Sequence, residues 1–209
     1  MEVSVSFLSS NNPAKDIKLL NDTDVDFIHV DIMDGKFVKN KTMPFREMRK
    51  ISKYTDKRLD VHLMVSKPMS YIKKYAKLNT ESITIHVEIN EDINKLIQAI
   101  KSYSIKVGLA IKPNTNVRDL VPYLPYINMI LVMSVEPGMG GQSFIEGTDK
   151  KIEEVRKLLD SYGLNDIKIS VDGGINGETI KYCSLCDRVV SGSYIISSDN
   201  FSERIDTLR

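Results

Sequence analysis

Apolar positions along this chain follow two alternating periods. Short runs rich in β-branched and apolar residues recur at Val3–Ser9, Phe27–Asp31, Leu59–Val65, Ser82–His86, Val107–Ile111, Met129–Met133, Ile167–Val171 and Arg188–Ser191, and each has the length and character of a buried strand. Between them the apolar spacing lengthens to that of helices. Ile93, Leu96, Ile97 and Ile100 form one such stripe; Met69, Ile72 and Tyr75 form a second, and Ile152, Val155, Leu158 and Leu159 a third. Helix-start signals precede several of these segments: Asn12 before Pro13, Asn90 before Glu91 and Asp92, and Asn176 before Gly177 and Glu178. Strand alternating with helix predicts parallel pairing through right-handed crossovers. Eight repeats predict a closed barrel, with an open doubly wound sheet as the competing arrangement. No strand is followed by a G-x-G-x-x-G or G-x-x-x-x-G-K-[ST] loop, which disfavours the nucleotide-binding version of the open sheet. No linker, low-complexity tract or charge block interrupts the pattern, so residues 1–209 are expected to form one α/β domain, a (β/α)₈ TIM barrel.

Length agrees with this expectation. The chain has 209 residues, about 26 for each of eight units, which is lean for a fold that usually takes about 250. Hydrophobic residues make up 42% and charged residues 27%, enough for a core without staples. The net charge of +1 supplies no global field toward nucleic acid or anionic lipid, so neither is expected as a partner. Two cysteines cannot build a disulfide framework, Met1 to Ser10 lacks the pattern of a signal peptide, and no apolar run reaches the ~18 residues of a membrane helix. A cytoplasmic location is the expectation.

Candidate chemistry belongs at the carboxyl ends of the strands, where the loops of such a barrel meet. Ionisable residues are few there. In Phe27-Ile28-His29-Val30-Asp31 the two-residue period points His29 and Asp31 the same way. The third run carries Asp60-Val61-His62, and the seventh leads into Val171-Asp172-Gly173-Gly174. If these face the lumen, imidazoles and carboxylates converge from three strands. Such a set suits one borderline divalent ion: Zn²⁺, Fe²⁺, Mn²⁺ or Co²⁺. A single strand-end histidine is ordinarily a hydrogen-bonded core residue; several ionisable groups together are harder to explain that way, because an unpaired buried carboxylate is costly. His86, the third and last histidine, is expected to be structural or to support a ligand from behind.

A second constellation is made of backbone. Glycine-rich turns follow the last three strands: Gly138-Met139-Gly140-Gly141, Asp172-Gly173-Gly174, and Gly192 with Ser193. Glycines let peptide N–H groups approach an oxyanion closely, and phosphate sites in this fold commonly follow strands seven and eight. The long loop after strand six is a candidate lid. Met33, Met64 and Met133 fall at or beyond strand ends, where they could exclude water or simply fill the core. Cys183-Ser184-Leu185-Cys186 has C-x-x-C spacing but no second pair, so helix packing is expected rather than metal or redox chemistry.

These segments together resemble the ribulose-phosphate 3-epimerase family. The likeness begins at Ser6-Phe7-Leu8-Ser9 and runs through His29-Val30-Asp31-Ile32-Met33-Asp34-Gly35-Lys36-Phe37-Val38, Asp60-Val61-His62-Leu63-Met64-Val65 and Val107-Gly108-Leu109-Ala110-Ile111-Lys112-Pro113. It continues through Met133-Ser134-Val135-Glu136-Pro137-Gly138-Met139-Gly140-Gly141-Gln142-Ser143-Phe144, Val171-Asp172-Gly173-Gly174-Ile175 and Val190-Ser191-Gly192-Ser193. The resemblance implies a ribulose-phosphate-binding barrel with one divalent ion on His29, Asp31, His62 and Asp172. It makes Asp31 and Asp172 the proton-transferring pair of a pentulose-phosphate epimerisation and implies a homo-oligomer. By the same likeness Ser6 and His62 contact the phosphosugar, while Gly138, Met139, Gly140, Gly141, Asp172, Gly173, Gly174, Gly192 and Ser193 hold it and its phosphate. Three positions depart from the family pattern: Val5 and Lys39 replace prolines, and Asn11 replaces an aspartate. A hexulose-phosphate 3-epimerase shares the ligand set and is the alternative; a metal-independent phosphosugar isomerase or lyase and a non-catalytic sugar-phosphate sensor are the others.

Overall fold

The computed structural model describes all 209 residues. Eight strands, β1 (Glu2–Ser6), β2 (Phe27–Met33), β3 (Arg58–Met64), β4 (Thr80–His86), β5 (Lys106–Ile111), β6 (Met129–Met133), β7 (Lys168–Asp172) and β8 (Arg188–Ser191), pair in sequence order. Every pairing is parallel, and β8 returns to β1, which closes the barrel. The outer ring holds α1 (Pro13–Asn21), α2 (Phe45–Ile51), α3 (Met69–Tyr75), α4 (Ile93–Lys101), α5 (Thr148–Ser161), α6 (Ser193–Ile196) and α7 (Phe201–Asp206). Strand residues of one parity, such as Ile28, Val61, Ile83, Leu109, Ile130 and Ile169, face these helices in a single 47-residue apolar core. The other parity lines the lumen with buried polar groups, Ser4, His29, Asp60, His62, Ser82, Thr84, Ser170 and Arg188, beside a small apolar cluster of Ala110, Leu131, Met133, Val135 and Val190. The main apolar core therefore lies outside the strand ring, and the lumen is left for chemistry.

Local departures from expectation have local causes. β1 ends at Ser6, three residues before the apolar run does, because the Ser6 hydroxyl accepts the Leu8 N–H and turns the chain. Asn12 caps α1 as its spacing predicts, accepting from the Lys15 N–H, but α4 is capped by Asp92 rather than Asn90. Val117–Tyr126 winds as 3₁₀ helix, since Pro122 and Pro125 lack the N–H groups an α-helix needs. Beyond Asn176 only a 3₁₀ turn forms, Ile180–Cys183; the Asn176 carboxamide accepts from Glu178 and Thr179 N–H groups. Cys183 and Cys186 are free, buried and part of the main core.

Candidate active site

The β2–β3 register sets His29 opposite Asp60 and Asp31 opposite His62, a two-by-two block on the lumen face. Asp172, the last residue of β7, reaches the same point from the far side of β1 and β8. One donor atom from each of His29, Asp31, His62 and Asp172 lies within 4.8 Å of the others. His29 Nε2 stands 3.4 Å from Asp31 Oδ1 and 3.8 Å from Asp172 Oδ2; His62 Nδ1 stands 3.3 and 3.6 Å from the same two oxygens. Four ligands about 2.1 Å from one ion in a tetrahedron would be about 3.4 Å apart, so the side chains are already spaced to hold one. His29 Nε2 is buried with no hydrogen-bond partner, and it points at this centre. The donor set therefore fits a borderline divalent ion on both chemistry and spacing.

Each imidazole of the donor cluster is oriented from behind. His29 Nδ1 lies 3.0 Å from Asp60 Oδ2. His62 Nε2 lies 2.9 Å from His86 Nε2, whose Nδ1 lies 3.0 Å from Glu88 Oε2. Burial pushes the His86 pKa down to about 4, so a neutral ring passes the chain of hydrogen bonds onward. Glu88 accepts from the Lys112 N–H and the Thr115 hydroxyl, and Lys151 Nζ donates to the carbonyls of Lys112, Pro113 and Thr115 at 2.9, 2.7 and 2.6 Å. α5 thus fastens the turn that holds Glu88. His86 backs His62, as expected of it; Glu88 and Lys151 carry no motif that would have assigned them a role, and Asp60, although it opens the Asp60-Val61-His62 segment, had none assigned.

Electrostatics bind the cluster together. Burial alone would raise the Asp31 carboxyl, but the charge and hydrogen bonds of His29 and His62 hold it far below the carboxylate range. Burial likewise opposes charge on His29 and His62, yet the charge of and hydrogen bonds to their facing aspartates raise both. A divalent ion competes with protons for these nitrogens. The two aspartates differ in access: the Asp31 side chain is 6% exposed and that of Asp172 16%. The Ser6 hydroxyl donates to Asp31 Oδ2 at 2.7 Å and fixes its second oxygen.

Above the cluster opens a cavity of about 530 Å³. Ser6, Asp31, Asp172, Gly138, Met139, Gly140, Gly141, Gly173, Gly174, Gly192 and Ser193 all line it, as do Met33, Met64 and Met133. His29 and His62 lie beneath, buried and off the wall. No lysine or arginine lines the cavity, so an anion there would be met by peptide N–H groups and hydroxyls. Gly174 has φ +65°, and a Cβ on it would come within 2.4 Å of the Phe144 nitrogen, which explains why the turn after β7 needs glycine. The loop from Ser134 to Gly147 is clasped by the chain after β2: Asn40 Nδ2 donates to the Gly138 carbonyl at 2.8 Å, and Val38 packs where a Gly138 Cβ would sit. Met139 at its tip is 61% exposed.

A closed parallel barrel with a carboxylate–imidazole centre beneath a glycine-rich rim defines a class: barrel enzymes with an open cavity at the carboxyl ends of the strands and donors for a metal at its floor. Comparison with known proteins identifies the member of that class. The profile described as "Ribulose-phosphate 3 epimerase family" matches residues 2–196, and the chain belongs to that family. It is 34% identical over 209 residues to the ribulose-phosphate 3-epimerase of Bacillus subtilis (strain 168), covering 99% of this chain and 95% of that one. The Helicobacter pylori (strain J99) enzyme of the same name is 35% identical over 213 residues, with 100% and 97% covered. Among solved structures the fold matches a 3-hexulose-6-phosphate synthase with TM-score 0.72 and 14% identity, covering 100% of this chain and 98% of that one. KGPDC from Streptococcus mutans gives TM-score 0.72 and 13% identity, over 99% and 94%. The chain is an epimerase of the matched family. No helix is long and apolar enough to cross a membrane.

Proposed function

We propose that this epimerase interconverts D-ribulose 5-phosphate and D-xylulose 5-phosphate, using Asp31 and Asp172 as opposed acid and base. The observation that carries this is the sharing of one four-donor cluster by two carboxylates that arrive from different strands and both reach the cavity wall. Inverting a carbinol carbon beside a ketone requires loss of a weakly acidic C–H proton and return of one to the opposite face. Two acids across the substrate plane accomplish this where one cannot easily reach both faces. Asp31 takes the proton in one direction while Asp172 delivers one; in reverse the roles exchange. Ser6 holds Asp31 in the rotamer that presents it. His29, Asp31, His62 and Asp172 would hold one divalent ion, Zn²⁺, Fe²⁺, Mn²⁺ or Co²⁺, whose charge would stabilise the enediolate as it develops. Peptide N–H groups of Gly173–Gly174 and Gly192–Ser193 fix the phosphate, the Gly138–Gly141 stretch covers the sugar, and Ser6 and His62 lie at its reacting end. Met33, Met64 and Met133 make an apolar collar that keeps water from the carbanionic centre.

The same reading takes residues 1–209 as one catalytic domain. The unbridged Cys183 and Cys186 support a reducing, cytoplasmic setting. A homo-oligomer, which the family likeness implies, belongs to the same proposal. The deciding experiment pairs elemental analysis of the purified protein with epimerisation assays on pentulose and hexulose phosphates, before and after chelation. One ion per chain and chelator-sensitive turnover of the pentulose phosphate are expected. Preference for the hexulose phosphate would favour the alternative epimerase, chelator-insensitive turnover would overturn the metal reading, and phosphosugar binding without turnover would identify a sensor.

A further inference from the structure

Asp60 is a fully buried lumen carboxylate that neither reaches the cavity nor joins the four donors. It sits level with His29 in the strand register, one pleat below the Asp31–His62 pair. All of its acceptor capacity is engaged. Oδ2 accepts from the Ser4 hydroxyl at 3.0 Å and lies 3.0 Å from His29 Nδ1; Oδ1 accepts from the Ser82 hydroxyl at 2.7 Å and lies 3.3 Å from Arg188 Nη1. Arg188 enters the lumen from β8 and is only 2% exposed. Its Nε and Nη2 each stand 3.0 Å from Glu2 Oε2, and the Phe27 ring lies 4.0 Å from its guanidinium carbon.

We propose that Asp60, clamped by Arg188, is a positioning residue for the metal centre: it holds the proton on His29 Nδ1 and so directs the Nε2 lone pair into the donor cluster. The inference rests on the reading of His29 as a ligand and adds to it the group that selects the ligating nitrogen. Neutral imidazole has two tautomers, and only one leaves Nε2 free to bind an ion. Two hydroxyls donate to Asp60 and the Arg188 guanidinium pairs with it, which keeps it ionised, so at His29 it can only accept. Rotation of the imidazole is blocked as well, because the same contact fixes the ring plane. Ion pairing for its own sake is a poor account of this network. Replacing a buried pair by apolar residues is often neutral or stabilising, whereas the same pair aimed at a ligand imidazole performs an orienting task. His62 is served in parallel, through His86 to Glu88, so each candidate histidine ligand ends on a carboxylate.

The test is a Co²⁺ titration of metal-stripped, full-length protein, followed by the visible absorption of the bound ion against a competing chelator. Wild type is expected to bind one ion. Asp60→Asn should bind roughly 10- to 100-fold more weakly. Ser82→Ala, which removes one donor to Asp60 with little change in volume, should bind roughly threefold more weakly, and its melting temperature without metal should fall by several degrees at most, leaving it folded at the titration temperature. Asp60→Asn binding within twofold of wild type would overturn the inference. If that variant does not fold, Ser82→Ala decides the matter, and unchanged affinity overturns it. A wild-type protein that binds no ion would overturn the ligand reading itself, and this inference with it.

Discussion

Asp31 and Asp172 are chemically the same residue in two settings, and the difference between them decides how each will respond to substitution. Asp31 is pinned by Ser6 and faces both imidazoles, whereas Asp172 is more open to the cavity. Asp31→Asn and Asp172→Asn should each lower kcat by at least about 10³-fold, since removing a general acid or base costs that order. Phosphate affinity should survive in both, because the proposed site holds the anion by peptide groups rather than by these carboxylates; inhibition by inorganic phosphate or a substrate analogue checks this. Ser6→Ala should lower kcat by roughly tenfold with little change in folding, as it frees Asp31 without removing it. The pairing of His29 with Asp31 was legible in the sequence because strand side chains alternate. The separate duty of Asp60 was not. Parity puts Asp60 and His62 on the same face, but height along the barrel axis comes from the stagger between neighbouring strands, which the sequence does not display.

Among the elements, the turns after β5 and β7 do the supporting work. Gly174→Ala forces a side chain onto φ +65° and against the Phe144 backbone, so KM should rise about tenfold or more with a smaller change in kcat. Glu88 gives a pH signature. Burial would raise its pKa, but the hydrogen bond and charge of His86, with donors from Lys112 and Thr115, lower it from 4.5 to about 2. A carboxylate whose folded pKa is depressed contributes stability that is present above its unfolded pKa and lost as pH falls through the folded one. Acid unfolding between about pH 4.5 and 2 should therefore be shallower in Glu88→Gln, and the variant should be less stable at neutral pH. Denaturant midpoints across that range check both statements. The strands and the α1 cap could be read from apolar runs and from Asn12 before Pro13. The 3₁₀ winding of Val117–Tyr126 was also implicit in its two prolines. The short turn after Asn176 was less readable, because its helix-start signal is spent on an Asx turn that goes no further.

As a whole molecule the barrel keeps most of its apolar mass outside the strands, so stability and chemistry largely occupy different sides of the same sheet. Ile83→Ala, on the helix-facing side and fully buried, should cost about 2–5 kcal/mol of unfolding free energy, while kcat of the protein that stays folded should change little. The polar lumen is the feature that general rules about interiors would have missed, and it is also where the candidate site lies. Closure of eight strands brings β7 round to β2, which is how Asp172 meets Asp31 although most of the chain separates them in sequence. The central claim is that two different carboxylates handle the proton on opposite faces. The most direct test is a single-turnover reaction in deuterated water, with the product examined for isotope at the inverted carbon. Full incorporation of one solvent deuterium at that carbon is predicted, because the acid that delivers it is not the base that removed the original proton. Inverted product that retains the substrate's own hydrogen there would contradict the account.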